Sequence, residues 1–152
     1  MPIDRVDEHF MLIALQEAKK AYALGEVPIG ALIVQHNSII AQGHNLVQES
    51  QNATTHAELL VIQKACTIKK KKYLPEATLY ATLEPCPMCA MACFWTQIKR
   101  IVWGAQDPKR GYSIWSPSLL LPKVVVTKGI LAKQSSQLLK QFFQELRNKH
   151  SQ

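Results

Sequence analysis

Residues 77–105 read ATLYATL, EPCPMCAMACFWTQIK and RIVWGA. The first run is rich in β-formers and predicts a strand. Pro85 ends it, a helix is predicted from Cys86 to about Gln97, and the next strand covers 100–105. Strands joined through a helix are suited to parallel pairing in one sheet. The rest of the chain fits around this unit. Met11, Ala14, Leu15, Ala18, Ala21 and Tyr22 recur at helical spacing over 8–23, and Gly25 stops that helix. IGALIVQ (29–35) and IIAQGHN (39–45) predict a hairpin about the turn at 36–38. A polar loop over 46–55 leads into a helix from about 56 to 70. Residues 106–122 hold several prolines and no clean period, so they predict loop. KVVVTKG (123–129) predicts a fifth strand, and Leu131, Leu138, Leu139, Phe142, Phe143 and Leu146 line one face of a last helix over 130–147. The order α β β α β α β β α predicts an α/β fold with helices packed on a central sheet, at least partly parallel in its later part.

The 152 residues fit one domain spanning 1–152, and 47% hydrophobic with 19% charged residues is enough for a sizeable core. No apolar run approaches the roughly 18 to 20 residues of a membrane span. MPIDRVDEHFMLIALQ places acids ahead of a short apolar stretch, unlike a secretory signal, so a cytoplasmic protein is expected. The formal charge of +7 and pI near 9.3 fit either a polyanionic partner or a generic basic surface.

The chemistry-bearing residues fall in two short stretches. Cys86, Cys89 and Cys93 cluster within eight residues, poor geometry for a disulfide framework and better suited to metal or redox chemistry. Cys66 stands alone and reads as a small core residue. Cys86 and Cys89 sit at a helix start, where the dipole favours thiolate, and Pro87 suits a first helical turn. Two thiolates and an imidazole are a usual zinc set. His56 would be the third ligand, and three protein ligands leave one tetrahedral position open, the pattern of a catalytic zinc that lowers the pKa of water to about 7. Glu58 would then be a general base and acid rather than a ligand. Positions two apart in a regular helix diverge by about 200°, so His56 must lie in a non-ideal first turn or Glu58 must reach across.

Plainer readings stand beside these. Alone, His56 is a core or surface histidine and Glu58 a solvated first-turn acid. Cys93 lies on the same helical face as Cys86 and Cys89, so His56, Cys86, Cys89 and Cys93 could form a closed structural site. A single straight helix can hardly wrap three sulfurs round one ion, which favours Cys93 as an interior residue. Met91 and Trp95 fit either core or a dimer surface. Lys69–Lys72 fits a solvated helix end, where positive charge suits the dipole.

HAE (56–58) with PCPMC (85–89) resembles the zinc-dependent cytidine deaminase superfamily, whose signature is H-x-E followed by P-C-x-x-C. EVPIGALIV (26–34), GHN (43–45), ATLYATLEPCPMC (77–89), GAQDPKRG (104–111) and FFQELRNK (142–149) are similar to its tRNA adenosine deaminase branch over nearly the whole chain. The resemblance implies a three-layer α/β/α fold with a five-stranded mixed sheet, a homodimer and one Zn²⁺ per subunit. It implies conversion of adenosine to inosine at the wobble position of a tRNA anticodon stem-loop. On this reading His56, Cys86 and Cys89 hold zinc, Glu58 shuttles the proton and Asn45 hydrogen-bonds the flipped base. Asp107, Lys109, Phe142, Phe143 and Arg147 correspond to positions near the RNA. Core packing is the alternative for Phe142 and Phe143, and a turn role for Asn45.

The chain departs from the branch at YSIWSPSLLLPKVV (112–125), which is bulkier, and at NATT (52–55) before the histidine. These departures keep two other functions open: a deaminase of a free base or nucleoside, of guanine or cytidine type, and a non-catalytic zinc module that binds nucleic acid.

Overall fold

The structure, a computed structural model, describes residues 3–151. Its elements are α1 (Ile3–Ala23), β1 (Gly30–Gln35), β2 (Ser38–His44), α2 (Val47–Ser50), α3 (Ala57–Lys69), β3 (Ala77–Leu83), α4 (Pro87–Trp95), β4 (Arg100–Ala105), α5 (Tyr112–Trp115), β5 (Val125–Lys128) and α6 (Ala132–His150). The five predicted strands and four long helices are all present. The predicted loops are not wholly loop: 46–55 contains α2 and 106–122 contains α5. Neither short helix has a hydrophobic period to announce it, because side-chain hydrogen bonds from distant residues hold the turns around them. The fifth strand is shorter than predicted, and the last helix starts two residues later and runs three further.

The sheet has the order β2-β1-β3-β4-β5. β1 pairs antiparallel with β2 and β3, while β3, β4 and β5 run parallel. The parallel part therefore lies in the later half, as the strand–helix–strand pattern predicts. The carboxyl ends of β2, β3 and β4 all reach the same edge of the fold, and α3 and α4 both begin there.

Alternation along the strands divides the core in two. Ile33, Leu79 and Ile101 meet α3 and α4 through Val61, Ile62, Ala90 and Cys93. Leu32, Val34, Tyr80 and Val102 meet α1 through Phe10, Met11 and Ala14, with Ile130 and Leu131 beside them. α6 lies against β4, β3 and α1 on that second face. This is the expected three-layer α/β/α arrangement. Helix α1 approaches β1 so closely that a Cβ on Gly30 would stand 1.9 Å from the Ala14 carbonyl oxygen, so no larger residue fits there. No helix among the described residues is long and apolar enough to cross a membrane.

A buried ion pair ties α1 to the sheet. Asp7 is fully buried; its carboxylate accepts from Arg100 Nη1 at 2.9 Å and Nη2 at 2.6 Å, and from the Tyr80 hydroxyl at 2.7 Å. Burial, and then the hydrogen bond to Asp7, push the Tyr80 phenol above its ordinary range. Removing one partner of such a pair leaves the other charge uncompensated. Asp7→Ala should therefore cost about 3 kcal/mol of stability, read from urea denaturation monitored by circular dichroism.

Candidate metal centre and active site

Both short motifs fold into helix caps. His56 is the N-cap of α3, with extended backbone at φ −77° and ψ 151°. Cys86 is the N-cap of α4, at φ −71° and ψ 168°, followed by Pro87 in the first turn. His56 thus stands outside the helix that carries Glu58, so the two side chains need not obey helical spacing. Cys89 lies one turn into α4 beside Cys86.

The caps place their side chains together. Nδ1 of His56 is 3.6 Å from Cys86 Sγ and 3.6 Å from Cys89 Sγ. The donor atoms of these three residues all lie within 4.8 Å of one another. Zinc–sulfur bonds of about 2.3 Å and zinc–nitrogen bonds of about 2.05 Å at a tetrahedral angle put N and S about 3.6 Å apart. The observed separations match that edge. The protonation chemistry fits as well. The Cys89 thiol donates to Cys86 and His56 adjoins it, which brings the Cys86 thiol down to about 4. Cys89 is pushed the other way, because it supplies that hydrogen bond and is itself buried. A first thiolate is stabilised and a second is opposed, so a cation must offset the second charge. The hydrogen bond with Cys86 raises the His56 pKa, so metal would here displace a proton.

Cys93 is not among the three. It is fully buried in the apolar layer between α4 and the sheet, and burial pushes its thiol up. The closed four-ligand alternative is not what the geometry brings together, and the structure leaves an incomplete tetrahedron of protein ligands.

Glu58 is buried at 4% exposure, and its Oε1 has no hydrogen-bond partner among the described residues. Burial pushes its carboxyl up to about 7. Two other buried carboxylates nearby provide the contrast. Glu26 accepts from the backbone N–H groups of Gln48 at 2.9 Å and Glu49 at 2.8 Å, capping α2. Glu84 accepts from the N–H of Asp107 at 3.2 Å, and from the N–H and hydroxyl of Ser113 at 3.0 and 2.6 Å. Both are committed to the backbone of loops. Of these three, Glu58 alone retains an unused oxygen, which points to a ligand beside the metal set.

Asn45, just after β2, is also buried. Its Oδ1 accepts from the Ala57 N–H at 2.9 Å, so it anchors the residue between His56 and Glu58. Asp107 forms a turn: its Oδ1 accepts from the N–H groups of Lys109 and Arg110, both at 3.0 Å. Lys109 and Arg147 are exposed. Phe142 is buried and stacks edge-on against Tyr22 and Phe143, while Phe143 is 40% exposed. Asn45 and the Asp107 turn stand at the strand edge that carries the metal set. The α6 residues lie in the opposite layer.

Sequence reasoning missed Glu26 and Glu84. The signal for Glu84 was an acid at the end of a buried strand, directly before the proline of the metal motif. Its carboxyl packs against Gly111, where a Cβ would lie 2.3 Å from the Glu84 carboxyl carbon.

Cys93→Ala should retain about one zinc per chain by elemental analysis, whereas Cys86→Ser should lose most of it. Loss of zinc in Cys93→Ala would restore the closed site. Gly111→Ala should lower the thermal midpoint, and Gly111→Ala added to Glu84→Ala should cost less than Gly111→Ala alone, since the colliding carboxyl is gone.

Comparison with known proteins agrees with this geometry. Residues 4–105 match the family model of the cytidine and deoxycytidylate deaminase zinc-binding region. The chain is 45% identical over 148 residues to a tRNA-specific adenosine deaminase of Bacillus subtilis, covering 94% of this chain and 92% of that protein. A solved structure from studies of A-to-I editing by tRNA:A34 deaminases at the wobble position of transfer RNA is 40% identical. It superposes with a TM-score of 0.79, covering 86% of this chain and 99% of that one. A guanine deaminase from Bacillus subtilis is 30% identical with a TM-score of 0.64, over 93% of each chain. With two helix caps presenting His56, Cys86 and Cys89 to one point, and with these likenesses along its length, the chain belongs to the zinc-binding cytidine and deoxycytidylate deaminase family, in the group of the tRNA-specific adenosine deaminases.

Proposed function

We propose that this protein is a zinc-dependent hydrolase that converts adenosine to inosine at the wobble position of a tRNA anticodon. The observation that carries the reading is the unpartnered Glu58 oxygen, buried beside a three-residue zinc set at the carboxyl ends of the strands. Relatives named as tRNA-specific adenosine deaminases supply the substrate.

His56, Cys86 and Cys89 would hold the ion. When bound, zinc supplies Lewis-acid activation of water at neutral pH. The remaining chemistry falls to the chain. Glu58 takes a proton from the attacking water and delivers it to N1 of adenine as the C6–O bond forms. Glu58 then carries the second water proton to the exocyclic amine. The C6–N bond breaks, ammonia leaves, and one water is consumed per inosine. Burial suits the task, because a carboxyl raised towards neutrality both accepts and releases a proton readily. Asn45 spends its Oδ1 on Ala57, and its amide N–H₂ is the group proposed to meet the base. A base within a stack is out of reach, so the target is an extruded loop base.

The RNA-side residues follow the same reading. Lys109 follows the Asp107 turn at the site edge, and its exposed ammonium group would meet phosphate. Phe143 and Arg147 are exposed on α6 and available to RNA, while Phe142 supports them from the core. We further propose a cytoplasmic homodimer. Met88 at 36% exposure, Ile114 at 49% and Trp115 at 73%, with half-buried Met91, form an apolar surface across the adjoining α4 and α5. That surface supports pairing of two copies.

A second reading, a free-guanine deaminase, draws on the 30% likeness to that enzyme and on the bulky 112–118 segment. The 45% identity to a tRNA enzyme weighs against it.

Incubation of the zinc-loaded protein with total tRNA should yield inosine detectable by mass spectrometry of nucleosides. Glu58→Ala should keep its zinc and melting temperature and lose about 10²–10⁴ in turnover. Activity retained in that variant removes Glu58 from the mechanism. Ammonia from guanine, with no inosine in tRNA, decides for the second reading.

A further inference from the structure

The amino-terminal ends of β3, β4 and β5 lie at the edge of the sheet opposite the metal set. A groove of about 500 Å³ opens there, lined in part by Tyr73, Phe94, Trp95, Lys99 and Lys123. Trp95 is 71% exposed and Tyr73 is 41% exposed. The exposed run Lys69–Lys72 leads directly into Tyr73, and among the described residues no acidic one lines the groove. Backbone bonding fixes this arrangement: the Leu74 N–H donates to the Thr96 carbonyl at 2.7 Å, which joins the lysine run to the end of α4.

The lysines here are more than a solvated helix end. Only Lys69 belongs to α3; Lys70 caps it, and Lys71, Lys72, Lys99 and Lys123 lie beyond, on three separate segments that converge. Among the described residues none of the six takes part in a salt bridge, the ion pairs being Lys20 with Glu17, His36 with Glu76 and Arg100 with Asp7. Two lie over aromatic rings instead. Lys72 Nζ is 5.2 Å from the Tyr73 ring centroid and Lys123 Nζ is 5.6 Å from that of Phe94. Uncompensated positive charge held around exposed aromatic faces is the chemistry that receives a polynucleotide. Phosphates meet the ammonium groups, and an unpaired base stacks on the ring.

We propose that this groove is a second RNA-binding surface, which engages the body of the tRNA outside the anticodon loop. It rests on the proposed function and deepens it by naming where the remainder of the substrate lies. The distances are compatible. β3 rises about 3.3 Å per residue over its seven, so groove and metal set stand roughly 20 Å apart. A duplex carries about one phosphate per 1.7 Å of its axis, so a stem crossing that span presents about twelve. Lys99, Lys123 and the 69–72 run meet phosphates, and Trp95 offers the stacking face.

The test uses zinc-loaded protein and a fluorescent full-length tRNA transcript, with affinity measured across a series of salt concentrations. Lys99→Gln with Lys123→Gln should make the slope of log affinity against log salt shallower by about 1.5 to 2, near 0.9 for each phosphate no longer neutralised. Trp95→Ala should weaken binding about tenfold. Zinc content and melting temperature should stay as in the parent, which excludes misfolding as the cause. Unchanged affinity and salt slope in both variants overturn the proposal. So does a dimer that sediments as monomer after Trp95→Ala, since the groove would then be an interface between copies. Binding is read independently of turnover. A parent protein that binds tRNA with a lysine-dependent slope but forms no inosine would sink the proposed activity and leave this surface standing.

Discussion

Everything at the candidate site depends on two helix caps meeting. A cap residue has extended backbone, so its side chain escapes the helical rotation that governs the residues after it. His56 and Cys86 occupy such positions at the starts of α3 and α4, and β2 and β3, which run the same way on either side of the antiparallel β1, bring both starts to one sheet edge. The positive ends of both helix dipoles then face the same small volume. Thiolate, carboxylate and a hydrated metal ion can share it only because cation and dipoles offset the negative charges. In a different order of strands, the same two motifs would lie on separate edges as isolated caps.

Buried acids divide the labour around that point. Glu26 and Glu84 give their oxygens to backbone N–H groups of the segments after β2 and β4, so each loop is held by a charge-assisted bond. Asn45 does the equivalent for the segment carrying His56 and Glu58. These bonds replace the hydrophobic packing that short loops lack. They fix the walls of the site, and of these three acids Glu58 alone keeps an unspent oxygen, beside the metal set. The absence of a Cβ at Gly111 is the steric condition for this, since the Glu84 carboxyl fills the space a side chain would need.

Basic charge is spread over two regions with different surroundings. At the carboxyl edge of the sheet, Lys109 stands beside a turn closed by Asp107. At the amino-terminal edge, lysines from three segments surround exposed aromatic rings, and among the described residues no acid lines the groove to neutralise them. The contrast turns an overall charge of +7, compatible with mere solubility, into a surface with a location.

The strands, the long helices and the metal-ligand residues were legible in the sequence because each rests on local information. Period 2 and period 3.6 read out the sheet and helix faces, proline and dipole placement mark the start of α4, and residue type selects zinc. Three things required the tertiary structure. The helices α2 and α5 were invisible because Glu26 and Glu84, more than twenty residues away in sequence, hold the turns around them. Helix geometry favoured Cys93 as an interior residue without settling it, and packing puts it in the buried apolar layer between α4 and the sheet. The lysine run reads as a helix end until the fold sets Lys99, Lys123 and Trp95 beside it. Local periodicity and residue chemistry decide what each segment is. Which segments become neighbours is decided by strand order, and strand order is a property of the whole sheet.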